Sequence, residues 1–598
     1  MKHIVFIPVI ALLGALSALA QQTKFNEETV AQLQEEMASG KLNSVTLTQF
    51  YINRILSLDQ KGGVNSVIEL NPDALAMAKN ADALRAQGTV LGPLHGIPVL
   101  LKDNIGTGDK MQTTAGSLAL MGQPAPHDST VAAKLRAGGA VILGKTNLSE
   151  WANFRSFFST SGWSGRGGLT NNPYSLDRNA CGSSSGSAAA VSANFTAVSF
   201  GSETDGSIVC PGNVNSVVGI KPTVGLTSRA GVVPISHTQD TVGPHGRTVA
   251  DAAAALNVVV SRTPDPNDPA TGGVPLGWQG TGKTRPTLPA DYTAFLDPKG
   301  LQGAHIGTTR QGIDMAPPQV AAAFDAAVAA IKAAGATVVD LDDPANNFSF
   351  FPANGEFLVL TFDFRNDVKN YFATRVGVPV AGGTLQTAID FNNANAATEM
   401  PYFFQEIFDL AESLATGPDD SQPAFGGLTY NQALAIDHDA GVNGIDLALS
   451  KFGLDAVVAP TDSPGWTTDL ILSDHFIFAS SGLAGGPGYP IVQVPSGSAL
   501  GMPVGISFLG TAFSERTLIK LASGFEAVTH ARILPTFVES VTTTNTAGTT
   551  LTRSKNSSSS PLLASVGCTS CSTTQAFPVP AIRISWTMIL RTSTPSSG

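Results

Sequence analysis

Basic residues are scarce in this chain. Only 35 Lys and Arg stand against 46 Asp and Glu in 598 residues, a formal charge of -11 at pH 7. No long Lys/Arg run interrupts that balance, and a phosphate backbone needs a basic patch to displace its counterions, so nucleic acid is not an expected partner. Cysteine is scarcer still: Cys181, Cys210, Cys568 and Cys571 are too few for a disulfide scaffold at this length. Cys568 and Cys571 form a lone C-x-x-C, with neither two further ligands at zinc spacing nor a βαβ setting, and read as a bystander pair. His and Met do not cluster at metal-ligand spacing, so no metal is expected. Charged residues make up only 14% of the chain and hydrophobic ones 43%, which excludes a disordered polyelectrolyte and allows a large core.

Long apolar runs are almost absent. The one exception is MKHIVFIPVIALLGALSALA at residues 1–20, a basic start, an apolar stretch and the small residues Ala18 and Ala20 at the positions a signal peptidase reads. A membrane anchor is the alternative, but Pro8, Gly14 and the Ala-x-Ala end fit a cleaved secretory signal better. The expectation is a secreted chain with no stable membrane span after cleavage. Sequons at Asn147, Asn194, Asn347 and Asn556 are candidate glycosylation sites, each a weak signal by itself. Beyond about 538 the composition turns to Thr, Ser, Asn and Gly, which predicts a disordered tail over 538–598.

Between these ends, strand and helix patterns alternate. Apolar positions recur at helical spacing over 28–38, 45–58, 130–137, 318–334 and 514–529; compact apolar runs at 96–101, 140–143, 305–308, 337–341, 455–459, 490–494 and 505–509 predict strands. That order predicts an α/β fold, a single large domain over 21–537 with one large central sheet. The Pro/Gly/Asp-rich stretch 261–300 reads as a surface loop over the sheet, because the patterns resume directly after it.

Residues 179–221 are the most informative. Two Gly/Ser-rich turns, CGSSSGS and ETDGSIVC, are separated by a small-residue helix near 187–194 and an apolar strand near 195–200, so both turns return to one sheet edge. Gly and Ser are used where a backbone must approach a ligand or offer its N–H groups. Upstream, IPVLLK is an apolar strand that ends on Lys102.

LKDNI (101–105), CGSSSGSAAA (181–190), GSETDGSIVCP (201–211) and VGIKPT (218–223), in that order and spacing, resemble the amidase signature family of serine hydrolases, most closely its peptide amidase-like branch. The resemblance spans the chain from near residue 28 to near 531. It implies a mixed sheet flanked by helices on both faces and hydrolysis of a carboxamide C–N bond through an acyl-enzyme. A small-molecule or peptide amide is the implied substrate, with no cofactor; the oligomeric state stays open. The family's Ser-Ser-Lys triad falls on Lys102, Ser183 and Ser207, with Ser183 on a cis peptide after Gly182. Ser207 is the implied nucleophile, Ser183 the bridging hydroxyl and Lys102 the terminal base. The oxyanion-hole N–H groups fall on Thr204, Asp205, Gly206 and Ser207, and Ser184 and Ser202 are implied orienting hydroxyls. Two departures from the family pattern, Val209 where many members carry Arg and Ser185 where glycine is common, affect substrate contacts rather than the triad.

The bottom-up chemistry agrees. A serine hydroxyl needs a base to become a nucleophile, a hydroxyl can both accept and pass on a proton, and a lysine becomes a base when burial disfavours its ammonium form. Asp103 is expected on the opposite face of the strand from Lys102. Arg247 and Asp240 match family positions near the site and are expected to form a structural ion pair. Cys181 and Cys210 flank the two turns, and whether they are bonded stays open.

Two other readings compete. Gly182 to Gly186 also fits G-x-S-x-G, which would make Ser184 the nucleophile of a Ser-His-Asp esterase or lipase with His237, His245, His305, His438, His475 or His530. Against it, the preceding NNPYSLDRNA reads as a loop rather than a strand. The second is a secreted binding protein without turnover, against which all three triad side chains are present. A tRNA-dependent amidotransferase component carries the same motifs, but the expected signal and the lack of a basic face argue against that role. The aromatic segments FDFRNDVKNYF and FFQEIF between 350 and 410 are candidate pocket walls, or ordinary helix core.

Overall fold

The computed structural model describes residues 24–60, 62–350, 354–414, 427–541, 543–544 and 550–551. The expected leader, Asn556, the C-x-x-C and most of the 538–598 tail lie outside the described residues. No described helix is long and apolar enough to cross a membrane.

One eleven-stranded sheet organises the fold. Its strands, numbered in chain order, are β1 (Val67–Leu70), β2 (Pro98–Lys102), β3 (Val141–Thr146), β4 (Val198–Glu203), β5 (Val218–Lys221), β6 (Thr241–Gly246), β7 (His305–Thr308), β8 (Thr337–Asp340), β9 (Ala456–Pro460), β10 (Ile491–Ala499) and β11 (Met502–Leu509). Their spatial order is β1-β3-β2-β4-β6-β5-β10-β11-β9-β7-β8. Parallel pairs at β3-β2-β4 and β9-β7-β8 bracket an antiparallel centre, so the sheet is mixed. Helices cover both faces, Val209–Val214 packing on β5, β10 and β11 and Glu515–Thr529 on β10 and β11. Strands covered on both sides read as unbroken apolar runs, and all five residues of β2 are buried.

Most expected elements form within a few residues of their predicted limits. The strand expected at 195–200 is displaced: β4 begins at Val198 and runs on through Ser202 and Glu203, because Thr241 of β6 pairs with Glu203 and the ladder outlasts the apolar pattern. NNPYSLDRNA is not a loop. Asn171–Asn172 pairs with Ser175–Asn179 in a small antiparallel hairpin, whose turn Asn172 closes by accepting the Tyr174 N–H at 2.9 Å. This hairpin stands outside the main sheet. The 261–300 stretch folds as short 3-10 turns against the sheet domain, with Tyr292 buried and Trp278 Nε1 donating to Thr511 Oγ1 at 3.1 Å. Phe364 and Phe372 of helix Glu356–Ala373 form core with Trp151 and Phe408, and Phe403 is buried, whereas Phe404 is exposed.

Two sequons are closed to a glycan. Asn147 is buried, donating to Gly168 O at 2.9 Å and accepting from Ser164 Oγ at 2.7 Å. Asn194 is buried against Glu27, accepting its N–H at 2.8 Å. Asn347 is exposed, in a left-handed turn.

Candidate active site

β2 ends on Lys102 at the centre of the β3-β2-β4 ladder, and burial of that strand takes the lysine out of solvent entirely. Its Nζ lies 2.7 Å from Ser183 Oγ, 3.0 Å from Ser202 Oγ and 3.1 Å from the Ser202 carbonyl. Burial pulls Lys102 down to about 7, against the opposing fields of the Asp240 and Glu203 carboxylates. No carboxylate pairs with it at ion-pair distance among the described residues, so little holds the ammonium form. Asp103 points the other way, to Arg166 Nη1 at 2.9 Å and toward Lys145 at 3.9 Å, as strand alternation requires.

The two Gly/Ser turns do return to one place. The Gly182–Ser183 peptide is cis. Gly182 is needed there because a Cβ would sit 2.1 Å from Ser149 Oγ. Ser184 N–H donates to the Ser207 carbonyl at 3.1 Å, and a Cys181–Cys210 disulfide with Cα atoms 6.0 Å apart joins the turns a second time. Ser183 is fully buried, whereas Ser207 keeps 7% exposure, the arrangement of an inner relay and an outer hydroxyl that a ligand can reach. Among the described residues the Ser207 hydroxyl takes no hydrogen-bond partner, so the contact with Ser183 is not closed in the free protein. Such bonds often tighten only when substrate is bound.

The turn carrying Ser207 is shaped by Glu203, a residue to which the sequence assigned no role. Its carboxylate accepts the N–H groups of Gly206 at 3.0 Å, Ile208 at 2.6 Å and Val209 at 3.0 Å. This corrects the expected oxyanion hole in one respect: the Gly206 N–H is committed to Glu203. Gly206 instead supplies the left-handed φ of 78° that the turn requires. The N–H groups of Asp205 and Ser207 carry no partner among the described residues, and Thr204 is fixed by its hydroxyl on Asp240 Oδ1 at 2.6 Å.

Ser202 accepts from Asn104 Nδ2 at 2.8 Å as well as contacting Lys102, so Asn104, two residues along from the lysine, orients the same hydroxyl. Ser184 Oγ donates to the Ser202 carbonyl at 3.0 Å and is fully buried. That burial leaves it no approach for a substrate. His245 packs beside the same glycine, Gly201, but its Nε2 holds the Ile208 carbonyl at 2.9 Å, and burial lowers its pKa to about 4. The Ser184 esterase constellation is therefore not assembled, although its G-x-S-x-G segment does follow a short strand. The expected Arg247–Asp240 pair is also absent. Arg247 donates to the carbonyls of Thr196, at 2.7 Å, and Glu28, while Asp240 accepts from Thr204, Ile235 and Ser236. Arg247 follows β6 at the end remote from Thr241, which separates it from Asp240.

A family model described as Amidase matches residues 46–519. The native peptide amidase of Stenotrophomonas maltophilia is 44% identical, superposes with a TM-score of 0.76, and is matched over 86% of this chain and 99% of its own. A relative from Arabidopsis thaliana named "Probable amidase" is 39% identical over 544 residues, 89% of this chain and 96% of that one. An amidase family protein from Bacillus anthracis is 31% identical, superposes with a TM-score of 0.74, and is matched over 86% of this chain and 94% of its own. With a buried lysine, two hydroxyl turns and this likeness along its length, the chain belongs to the amidase signature family and is an amidase.

Proposed function

We propose that Ser207, Ser183 and Lys102 carry out amide hydrolysis here as nucleophile, proton relay and base. The observation that carries this is the 2.7 Å contact between Ser183 Oγ and a fully buried lysine brought down to about 7, next to the outer hydroxyl of Ser207. Neutral Lys102 accepts the Ser183 proton as Ser183 accepts that of Ser207, while Ser207 Oγ bonds to the amide carbon. The oxyanion that forms meets the N–H groups of Asp205 and Ser207, with Thr204 as the third candidate; each such donor contributes about 3–4 kcal/mol of transition-state stabilisation. The C–N bond then breaks as the proton returns through Ser183 to the departing nitrogen, leaving an ester on Ser207. Water attacks that ester by the same relay and releases the carboxylate. Linear carboxamides that release ammonia or a small amine are the proposed substrates.

Fluorophosphonate labelling followed by peptide mapping tests the assignment. The label is expected on Ser207, and Ser207→Ala is expected to lose both labelling and ammonia release. Label recovered on Ser184, or hydrolysis that survives Ser207→Ala, overturns it.

We further propose export through cleavage after Ala20. The leader pattern and the Cys181–Cys210 disulfide support it, since such bonds persist in oxidising compartments. N-terminal sequencing of the exported protein is expected to begin at Gln21. Asn347 is the exposed sequon on which a glycan is proposed.

A further inference from the structure

The segment 229–240 wraps the end of β2 on which Lys102 stands. Val233 N–H donates to the carbonyl of Asn104, two residues beyond the lysine, at 2.8 Å, and Val232 bridges to Ile105. At its far end the segment closes on Asp240, whose buried carboxylate accepts from two sides. Oδ2 takes the N–H groups of Ile235 and Ser236 at 2.8 and 3.0 Å, and Oδ1 takes the Thr204 hydroxyl at 2.6 Å. One side chain therefore ties this segment to the turn that carries the nucleophile.

Asp240 also reaches toward the lysine. With Asn104, Ser202 and Thr204 it lines a cavity of about 10 Å³, room for a single water. Ser202 Oγ is the hydroxyl 3.0 Å from Lys102 Nζ, and Asn104 Oδ1 is buried with no hydrogen bond among the described residues. A space that small holds no bulk solvent to screen the carboxylate from the amine. No cation stands at ion-pair distance from Asp240 among the described residues, and Arg229 is taken by Asp268 at 2.6 Å. The other charges nearby are engaged. Glu203 accepts three backbone N–H groups, while Asp363 and Asp367 of helix Glu356–Ala373 hold Ser236 and His237. His245, lowered to about 4 by burial, is neutral. Burial raises Asp240 to about 6, so it is ionised where Lys102 titrates, and its charge favours the ammonium that burial disfavours.

We propose that Asp240 is a positioning residue of the hydrolysis: it holds Thr204 at the oxyanion turn and lends its negative charge to the amine of Lys102. An amine weakened by burial alone is a poor base, and the ammonium it becomes as Ser207 attacks needs a counter-charge. The proposal rests on the Ser207, Ser183 and Lys102 reading above and adds a residue to it.

The test follows ammonia release from a neutral amide between pH 5 and 9. In Asp240→Asn the acid limb of kcat/KM is expected at least about half a pH unit below that of wild type, because removing the charge lowers Lys102 further. Its plateau kcat is expected to fall about tenfold, less than the loss of a whole oxyanion donor. Thr204→Val removes the hydroxyl and keeps the charge, so kcat should fall about tenfold with the limb in place. Thr204→Ser keeps both and should stay within about threefold of wild type. A limb that does not move in folded Asp240→Asn overturns the proposal. So does equal kcat in Thr204→Val and Thr204→Ser, a comparison that decides the matter even where Asp240→Asn does not fold. A wild-type profile with no limb near pH 7 would instead overturn the Lys102 reading.

Discussion

Lys102 and Lys145 lie on neighbouring strands, are both fully buried, and differ in what they touch. Lys145 on β3 donates to the Ile105 carbonyl at 2.6 Å and Thr113 Oγ1 at 2.9 Å, with Asp103 at 3.9 Å; burial lowers it to about 8. Lys102 on β2 meets the hydroxyls of Ser183 and Ser202 and one carbonyl. A carbonyl or carboxylate only accepts, so it holds an amine as a donor and favours the ammonium form. A hydroxyl donates as readily as it accepts and can hand a proton to a neutral amine. Burial makes either lysine easier to deprotonate. Each lysine meets a hydroxyl and a carbonyl, so what separates them is the Asp103 carboxylate beside Lys145 and the place of the Ser183 hydroxyl in the turn bonded to that of Ser207.

The largest expected effect removes that base. Lys102→Met should lower kcat for amide hydrolysis by about 10³–10⁴-fold, the upper range for positioned acid–base groups, with the far-UV spectrum unchanged. Full activity in the folded variant would place the base elsewhere. Ser183→Ala should cost less, about 10²–10³-fold, because water can replace part of a relay but not its terminus. Fluorophosphonate labelling of Ser207 should slow in parallel in both variants, and an unslowed label would separate these residues from nucleophile activation.

Acidity offers a milder intervention. Lys102 acts as a base only when neutral, and its folded pKa is lowered to about 7, so the active form is lost as pH falls through 7. On a neutral amide, kcat/KM should be level above that point and drop about tenfold at pH 6 relative to the plateau. A limb near the ordinary lysine value of about 10.4 would mean that burial does not set the base.

What the sequence disclosed about these two lysines follows from the range of the interactions involved. Lys102 is legible because an apolar strand that ends in lysine forces the amine into the core, and the two turns are legible because Gly and Ser cluster within a few residues. β4, β6 and the hairpin at 171–179 were blurred where hydrogen-bond ladders extend through polar residues, which apolar patterning does not register. The role of Glu203 had a signal in hand, a carboxylate three to six residues before the N–H groups it caps. Arg247 misled because proximity of motif positions in sequence does not fix which end of a strand a side chain leaves.

The smallest expected effect on activity, and the sharpest use of the comparison, is Lys145→Met. Methionine keeps the length and apolar stem of lysine but removes the donors, leaving the Ile105 carbonyl without that bond and Asp103 with Arg166 and Thr114 as remaining partners. An unsatisfied buried acceptor costs about 1–3 kcal/mol, so the unfolding midpoint should fall visibly in denaturant titration. Because Lys145 touches neither Ser183 nor Ser202, kcat/KM of the folded fraction should stay within about threefold of wild type, well below the loss a positioned acid–base group produces. A loss near that of Lys102→Met without a matching fall in stability would show that the two amines act as one proton reservoir, and the distinction drawn from the Asp103 carboxylate and the Ser183 hydroxyl would fail.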